Sequence, residues 1–331
     1  MNDDGYPDLL VSNSESNTLN YLEGLGNGTF KNPLTLKTGR EPVAMAAADF
    51  NGDRIADIAL ANYGDGNVSI ILSQKDGLFK HKQNIKVGRL PIAIATGDFN
   101  NDEHLDIAVT LRFDKMVILL GVGDGTFKVG EAYKASGTPA MLVVGDYNDD
   151  KNLDIAMVFN AVEVNFIRIF DGLGDGTFKS PRRVPGGHQS SFIIQHDMNQ
   201  DGIADLIASS TMKDSVTLFV GRGKGEFEAT PDFAGEKGPE HMVAGEFTGD
   251  NKPDLAVCNR RDNSISILEG RGDGSFVFPH FNYPVGRNPR AMAAADFNGD
   301  TMLDLAVVLY DAQRVVVLMR KVEGPPGVED S

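Results

Sequence analysis

The chain repeats, about every 49 residues, a nine-residue stretch with oxygen-bearing side chains at positions 1, 3, 5 and 9. It reads DFNGDRIAD from Asp49, DFNNDEHLD from Asp98, DYNDDKNLD from Asp146, DMNQDGIAD from Asp197 and DFNGDTMLD from Asp296. A sixth copy, EFTGDNKPD from Glu246, is altered, and a seventh opens the chain as NDDGYPD, ending at Asp8. Carboxylate and amide oxygens at this spacing can wrap a short loop around a hard cation, and calcium is the expected ion. The rival account is that the Asp and Asn side chains only form Asx turns.

Other chemistry is poorly supported. The six His fall at different repeat positions, so neither a metal triad nor a catalytic pair emerges. There is no Gly-rich phosphate loop between strand and helix, and no Ser in an elbow motif. Arg271-Gly272-Asp273 spells an integrin-recognition tripeptide, but here it is a hairpin turn preceded by Arg. Asn27 and Asn67 begin glycosylation sequons that matter only in a eukaryotic secretory pathway. Cys258, the single cysteine, reads as a small buried hydrophobe in a strand.

The elements around each loop follow one plan. In the unit from Glu41 to Arg89, PVAMAAAD is a strand A, the Asp loop follows, then DIALANY is strand B, NVSIILSQ strand C and LFKHKQNIKVG strand D. Short strands joined by tight turns, without helical periodicity, make an antiparallel sheet. Stacking such sheets radially buries both faces, which predicts an all-β, seven-bladed β-propeller of four-stranded blades. Strand A is rich in Ala (Ala44, Ala46, Ala48; Ala291, Ala293, Ala295), as suits the crowded axis. A turn of the GDGTF type precedes strand D, and its Phe recurs as Phe30, Phe79, Phe127, Phe178, Phe227 and Phe276. With Phe50, Phe99, Phe247 and Phe297 at loop position 2, these account for ten of the 19 Phe, which points to packing between blades. The first blade lacks strand A. The last runs from strand C into VEGPPGVEDS, which does not read as a strand D. The expected domain is therefore one ring over residues 1–321 with a C-terminal tail at 322–331.

These two motifs resemble the FG-GAP/VCBS repeat family, the calcium-loop propellers also seen in integrin α-subunit heads. The resemblance implies side-chain ligands at positions 1, 3, 5 and 9 and a backbone carbonyl at position 7. The implied sites are Asp49, Asn51, Asp53, Ile55 and Asp57; Asp98, Asn100, Asp102, His104 and Asp106; and Asp146, Asn148, Asp150, Asn152 and Asp154. The other two are Asp197, Asn199, Asp201, Ile203 and Asp205, and Asp296, Asn298, Asp300, Met302 and Asp304. About five Ca2+ ions are expected, with a weaker site at Glu246, Asp250 and Asp254. Position 6 is usually Gly in such loops. Here it is Arg54, Glu103, Lys151, Asn251 or Thr301, each costing about 1 kcal/mol if positive φ is required.

The net charge of −16 disfavours nucleic acid, and no basic stripe with interleaved aromatics occurs. Five divalent ions would offset about +10 of it. No apolar run is long enough to cross a membrane, and residues 1–20 do not read as a signal peptide. The A–B and C–D connections share one rim, and the variable B–C and D–A connections share the other. Arg40, Arg89, Arg112, Lys213, Arg260, Arg261, Arg287, Arg290, His188 and His241 fall in or beside the second rim. Tyr63, Arg112, Arg260, Arg261 and Tyr310 are the expected contacts for an acidic protein or glycan there. The expected function is non-enzymatic recognition or adhesion outside the cytoplasm, lectin-like in its sharper form, by a monomer or part of a larger protein. Alternatives are the propeller of a polysaccharide lyase or other carbohydrate-active enzyme, and a purely structural module of a surface protein.

Overall fold

The computed structural model describes residues 1–135, 137–160, 164–234 and 236–320. The expected tail lies outside them. The described residues form seven antiparallel sheets and no helix. In blade 2, Pro42–Ala48, Asp57–Asn62, Asn67–Ser73 and Phe79–Lys86 are strands A to D, hydrogen-bonded in that order. Strand B is wholly buried (Asp57–Asn62, Asp106–Leu111, Asp154–Phe159, Asp205–Ser210, Asp254–Asn259), because both of its faces pack on neighbouring blades. In blade 5 strand D is interrupted, with Phe227–Ala229 and Phe233–Ala234 each pairing Ser215–Gly221.

The first blade has strands B, C and D (Leu9–Asn13, Thr18–Leu22, Leu34–Lys37). The last has A, B and C (Pro289–Ala295, Asp304–Leu309, Arg314–Leu318). The ring nevertheless closes. Phe30 of blade 1 packs edge-on against Phe297 of blade 7, with centroids 5.7 Å apart, and Gly28 N–H donates to the Phe297 carbonyl at 2.7 Å.

That contact recurs around the ring. The Phe after the C–D turn of one blade meets the aromatic at loop position 2 of the preceding blade. Phe127 meets Phe50 at 5.3 Å, Phe178 meets Phe99 at 5.4 Å and Phe227 meets Tyr147 at 5.9 Å. Gly125 and Gly176 N–H groups donate to the Phe50 and Phe99 carbonyls. Each edge-to-face pair adds about 0.5–1.5 kcal/mol beyond its buried area. The recurring Phe thus serve packing between blades, as their spacing suggests.

Candidate functional site

Each Asp loop is wound around the carboxylate at its first position. In the second blade Asp49 Oδ1 accepts N–H bonds from Asn51, Gly52 and Asp53, and Oδ2 accepts from Arg54 at 2.7 Å. Asn51 Oδ1 accepts from Asp53, and Asp53 Oδ1 from Ile55. The bond from the position-6 N–H to the position-1 carboxylate recurs at Glu103 to Asp98, Lys151 to Asp146, Gly202 to Asp197 and Thr301 to Asp296. Asx turns are therefore present, and at Asp49 four N–H donors already engage the two carboxylate oxygens.

The winding needs left-handed backbone at position 6, as expected: φ is 69° at Arg54, 67° at Glu103, 70° at Lys151, 61° at Asn251 and 69° at Thr301. Position 4 is left-handed as well, at Gly52, Asn101, Asp149, Gln200, Gly249 and Gly299. The sequence reading missed that second demand, although Gly, Asn and Asp dominate the position.

The position-9 carboxylates are buried and play a second part. Asp57 Oδ2 accepts from Phe50 N–H in the loop, and Oδ1 from Ser73 N–H at the end of strand C. Strand C is pinned in the same way by Asp106 through Gly121, Asp154 through Gly172, Asp205 through Gly221 and Asp304 through Arg320. Glycine suits the strand end because a Cβ there would meet the position-8 carbonyl, 2.3 Å away at Gly121 and 2.2 Å at Gly172. Ser73 breaks this rule and turns its hydroxyl to the Ala56 carbonyl instead. Burial raises the pKa of Asp57, Asp106 and Asp154 to about 6, overriding two N–H donors each. Asp205 and Asp254 are raised for the same reason.

The donor types at positions 1, 3, 5, 7 and 9 are all oxygen, as a hard cation requires. Among the described residues, however, no three Asp, Glu, His or Cys side chains converge into an ion-sized cluster. In the sixth loop the chain supplies its own cations: Arg320 Nη1 stands 3.4 Å from Glu246 and Lys252 Nζ 2.7 Å from Asp250. Asp254 there keeps the bracing role, accepting from Phe247 and Gly270.

On the opposite rim the expected contact residues are largely paired with one another. Arg112 donates to the Tyr63 hydroxyl, Arg261 pairs with Asp214, and Arg260 and Arg290 share Glu240 at 3.3 and 3.1 Å. Tyr310 donates to Glu15 at 2.6 Å and lies under the Arg290 guanidinium. His241 stacks on Phe192 at 4.2 Å, and loss of water lowers its pKa to about 4, so it adds no charge at neutral pH. Arg260 and Arg261 do come together, with Asn263, Asn288 and the exposed Met212, around a recess of about 420 Å³. Tyr63 and Arg112 do not line it.

Comparison with known proteins supports the same architecture. The model of the FG-GAP-like repeat matches six times, over residues 1–60, 49–109, 98–157, 146–208, 197–257 and 246–307. No curated protein sequence matches the chain. Among solved structures, BBS1N in complex with ARL6DN is 12% identical over 97% of this chain and 90% of its own, with a TM-score of 0.70. A Bacteroides fragilis protein, provisionally named a 6-phosphogluconolactonase, is 16% identical over 95% and 90%, with a TM-score of 0.72. A Lactobacillus plantarum protein is 12% identical over 91% and 90%, with a TM-score of 0.65. At these identities the likeness concerns the fold alone. With its loops, blades and repeat matches running through almost the whole described ring, the chain belongs to the FG-GAP-like repeat family.

Proposed function

We propose that this propeller is stabilised by calcium in its five complete Asp loops and recognises an acidic protein or glycan on the opposite rim, without catalysing a reaction. The observation that carries the proposal is the repetition of one all-oxygen loop in five blades, each wound through two left-handed residues around its first carboxylate. A catalytic metal would more naturally occur once, beside an acid or base. Arg320 and Lys252 in the sixth loop stand in for an ion, so the altered copy is proposed to bind none. Recognition is assigned to the recess bearing Arg260 and Arg261. An extracellular, cell-surface or periplasmic setting would supply enough calcium for weak sites.

Thermal unfolding against calcium and chelator tests the first half. At free calcium about 100 times Kd each occupied loop adds ~2.7 kcal/mol, and an absent shift refutes the assignment. The second half is tested by Arg112→Gln, Arg260→Gln and Arg261→Gln in one protein, with capture on immobilised acidic protein and acidic polysaccharide measured beside the parent. Unchanged capture removes the rim from consideration.

A further inference from the structure

The variable rim is not uniform in charge. Around blades 5 to 7, Arg260, Arg261 and Arg290 are neutralised by Asp214 and Glu240. Around blades 2 and 3 the pairing is incomplete. Arg89, on the D–A connection between those blades, and Arg112, on the B–C loop of blade 3, are exposed and form no ion pair among the described residues. The carboxylates nearby are already engaged. Asp65 accepts from Arg40 N–H at 2.8 Å and from its Nε at 2.7 Å. Asp114 accepts from Gly137 N–H at 2.8 Å, which braces the next D–A connection, and Lys134 stands 4.0 Å from it. Glu41 is exposed and pairs with neither arginine among the described residues.

The two arginines are placed by the backbone and by two aromatic residues. Leu90, left-handed at φ 57°, turns its carbonyl to Arg112 N–H at 3.0 Å, which ties the two connections together. Arg112 Nη1 donates to the Tyr63 hydroxyl, whose own proton remains free to donate. Arg89 lies over the Phe113 ring, 5.9 Å from its centroid, and Phe113 is 60% exposed on its loop. Blades 2, 6 and 7 carry Gly64, Arg261 and Asp311 at the position of Phe113, two residues past strand B. Lys213 and Arg287 are also without ion pairs among the described residues, but neither lies against a ring there.

We infer that Tyr63, Arg89, Arg112 and Phe113 form a docking point for an acidic peptide segment of a partner protein. An apolar side chain of the segment sits against Phe113, and its carboxylates pair with Arg89 and Arg112. The inference rests on the recognition role proposed for this rim, and it places a site apart from the recess of Arg260 and Arg261. Two unpaired guanidinium groups on a chain of net charge −16 fix the sign of the ligand. Their planar forks match carboxylates in two-point contacts. Aromatic residues and Arg are also the side chains enriched where protein interfaces hold most of their binding energy. A sugar would need a bare ring face to lie on, and Arg89 covers one face of Phe113.

The probe is a labelled synthetic peptide, EELLEELLEE, read by fluorescence anisotropy. Its controls are a form with Ser for each Leu, which keeps the charge, and polygalacturonate as an acidic glycan. Saturable binding of the Leu peptide is expected, falling as salt rises from about 50 to about 300 mM. Phe113→Ala should weaken it at least about tenfold and leave the weaker Ser peptide almost unchanged, which couples the Leu side chains to that ring. Arg89→Gln should weaken both peptides and flatten the salt dependence. Both residues are exposed, so Tm should stay that of the parent. The double variant Arg260→Gln, Arg261→Gln should bind the peptide as the parent does. Loss of binding in that double variant alone overturns the inference and leaves the recess in place. No peptide binding at unchanged Tm also overturns it, while the recess is still judged by the capture experiment above. Tighter binding of polygalacturonate through Arg89 and Phe113 would replace the peptide by a glycan. Self-association abolished by Phe113→Ala would replace it by a second copy of the chain.

Discussion

The four bulky residues at loop position 6 offer a quantitative test of how these loops are built. Arg54, Glu103, Lys151 and Thr301 hold φ of 69°, 67°, 70° and 69°. An L-residue there pays about 1 kcal/mol relative to Gly, and β-branched Thr about 2. Replacement by Gly recovers that strain but loosens the unfolded chain by about 0.4–1 kcal/mol. The net gain is then ~0.5 kcal/mol for each of the first three and ~1 for Thr301, or about 2–3 in total if the loops act independently. For 331 residues the unfolding entropy near Tm is about 0.7 kcal/mol per degree, so the quadruple Gly variant should melt ~3–4 °C higher. Calorimetry in chelator isolates the effect from metal binding. The control is the quadruple Ala variant, which keeps a Cβ at every strained position and should gain much less. An Ala variant that gains as much as the Gly variant would refute the backbone argument, as would a Gly variant that melts lower.

Three further outcomes are expected. Gly121→Ala should destabilise by ~3 kcal/mol or more in denaturant titration, because its Cβ would fall 2.3 Å from the Leu105 carbonyl, whereas Ser73→Gly should cost much less. In chelator, Asp57, Asp106 and Asp154 should make the protein more resistant to denaturant at pH 5 than at pH 7.5. Their folded pKa of about 6 lies above the unfolded 3.8, so their favourable contribution is complete below pH ~4 and lost as pH rises through about 6. Saturating calcium should reverse that trend, since protons then compete with the ion. Native mass spectrometry should count about five bound calcium ions, and a sixth would contradict the role given to Arg320 and Lys252.

Blade number and strand order were legible because the 49-residue period carries both the loop and the GDG turn. The positive φ at Lys151 or Thr301 could be anticipated from the Gly that stands in the same place at Gly202. What escaped depended on backbone meeting side chain across the fold. Asp106 looks like a ligand in sequence, and only the arrival of Gly121 beside it reveals the brace. The glycine ending strand C in most blades was the available signal. Rim charges could be counted but not paired, since Arg261 finds Asp214 47 residues away and Arg290 finds Glu240 50 away.

The contact between the C–D turn of one blade and the Asp loop of the one before sets the grain of the whole molecule. The loops from Asp49, Asp98 and Asp146 lean on material encoded one repeat later, and the loop from Asp296 leans on blade 1 across the closure, so the energetic unit straddles two blades. Among the described residues no turn of blade 7 supports the sixth loop, and there Arg320 reaches Glu246. A whole repeat inserted into the gene carries both a prop and something to be propped, so the ring can grow by complete copies. A deletion beginning mid-blade strands one half of the joint. The repeat boundary that evolution can cut is therefore fixed by this overlap, and it does not coincide with the edge of a sheet.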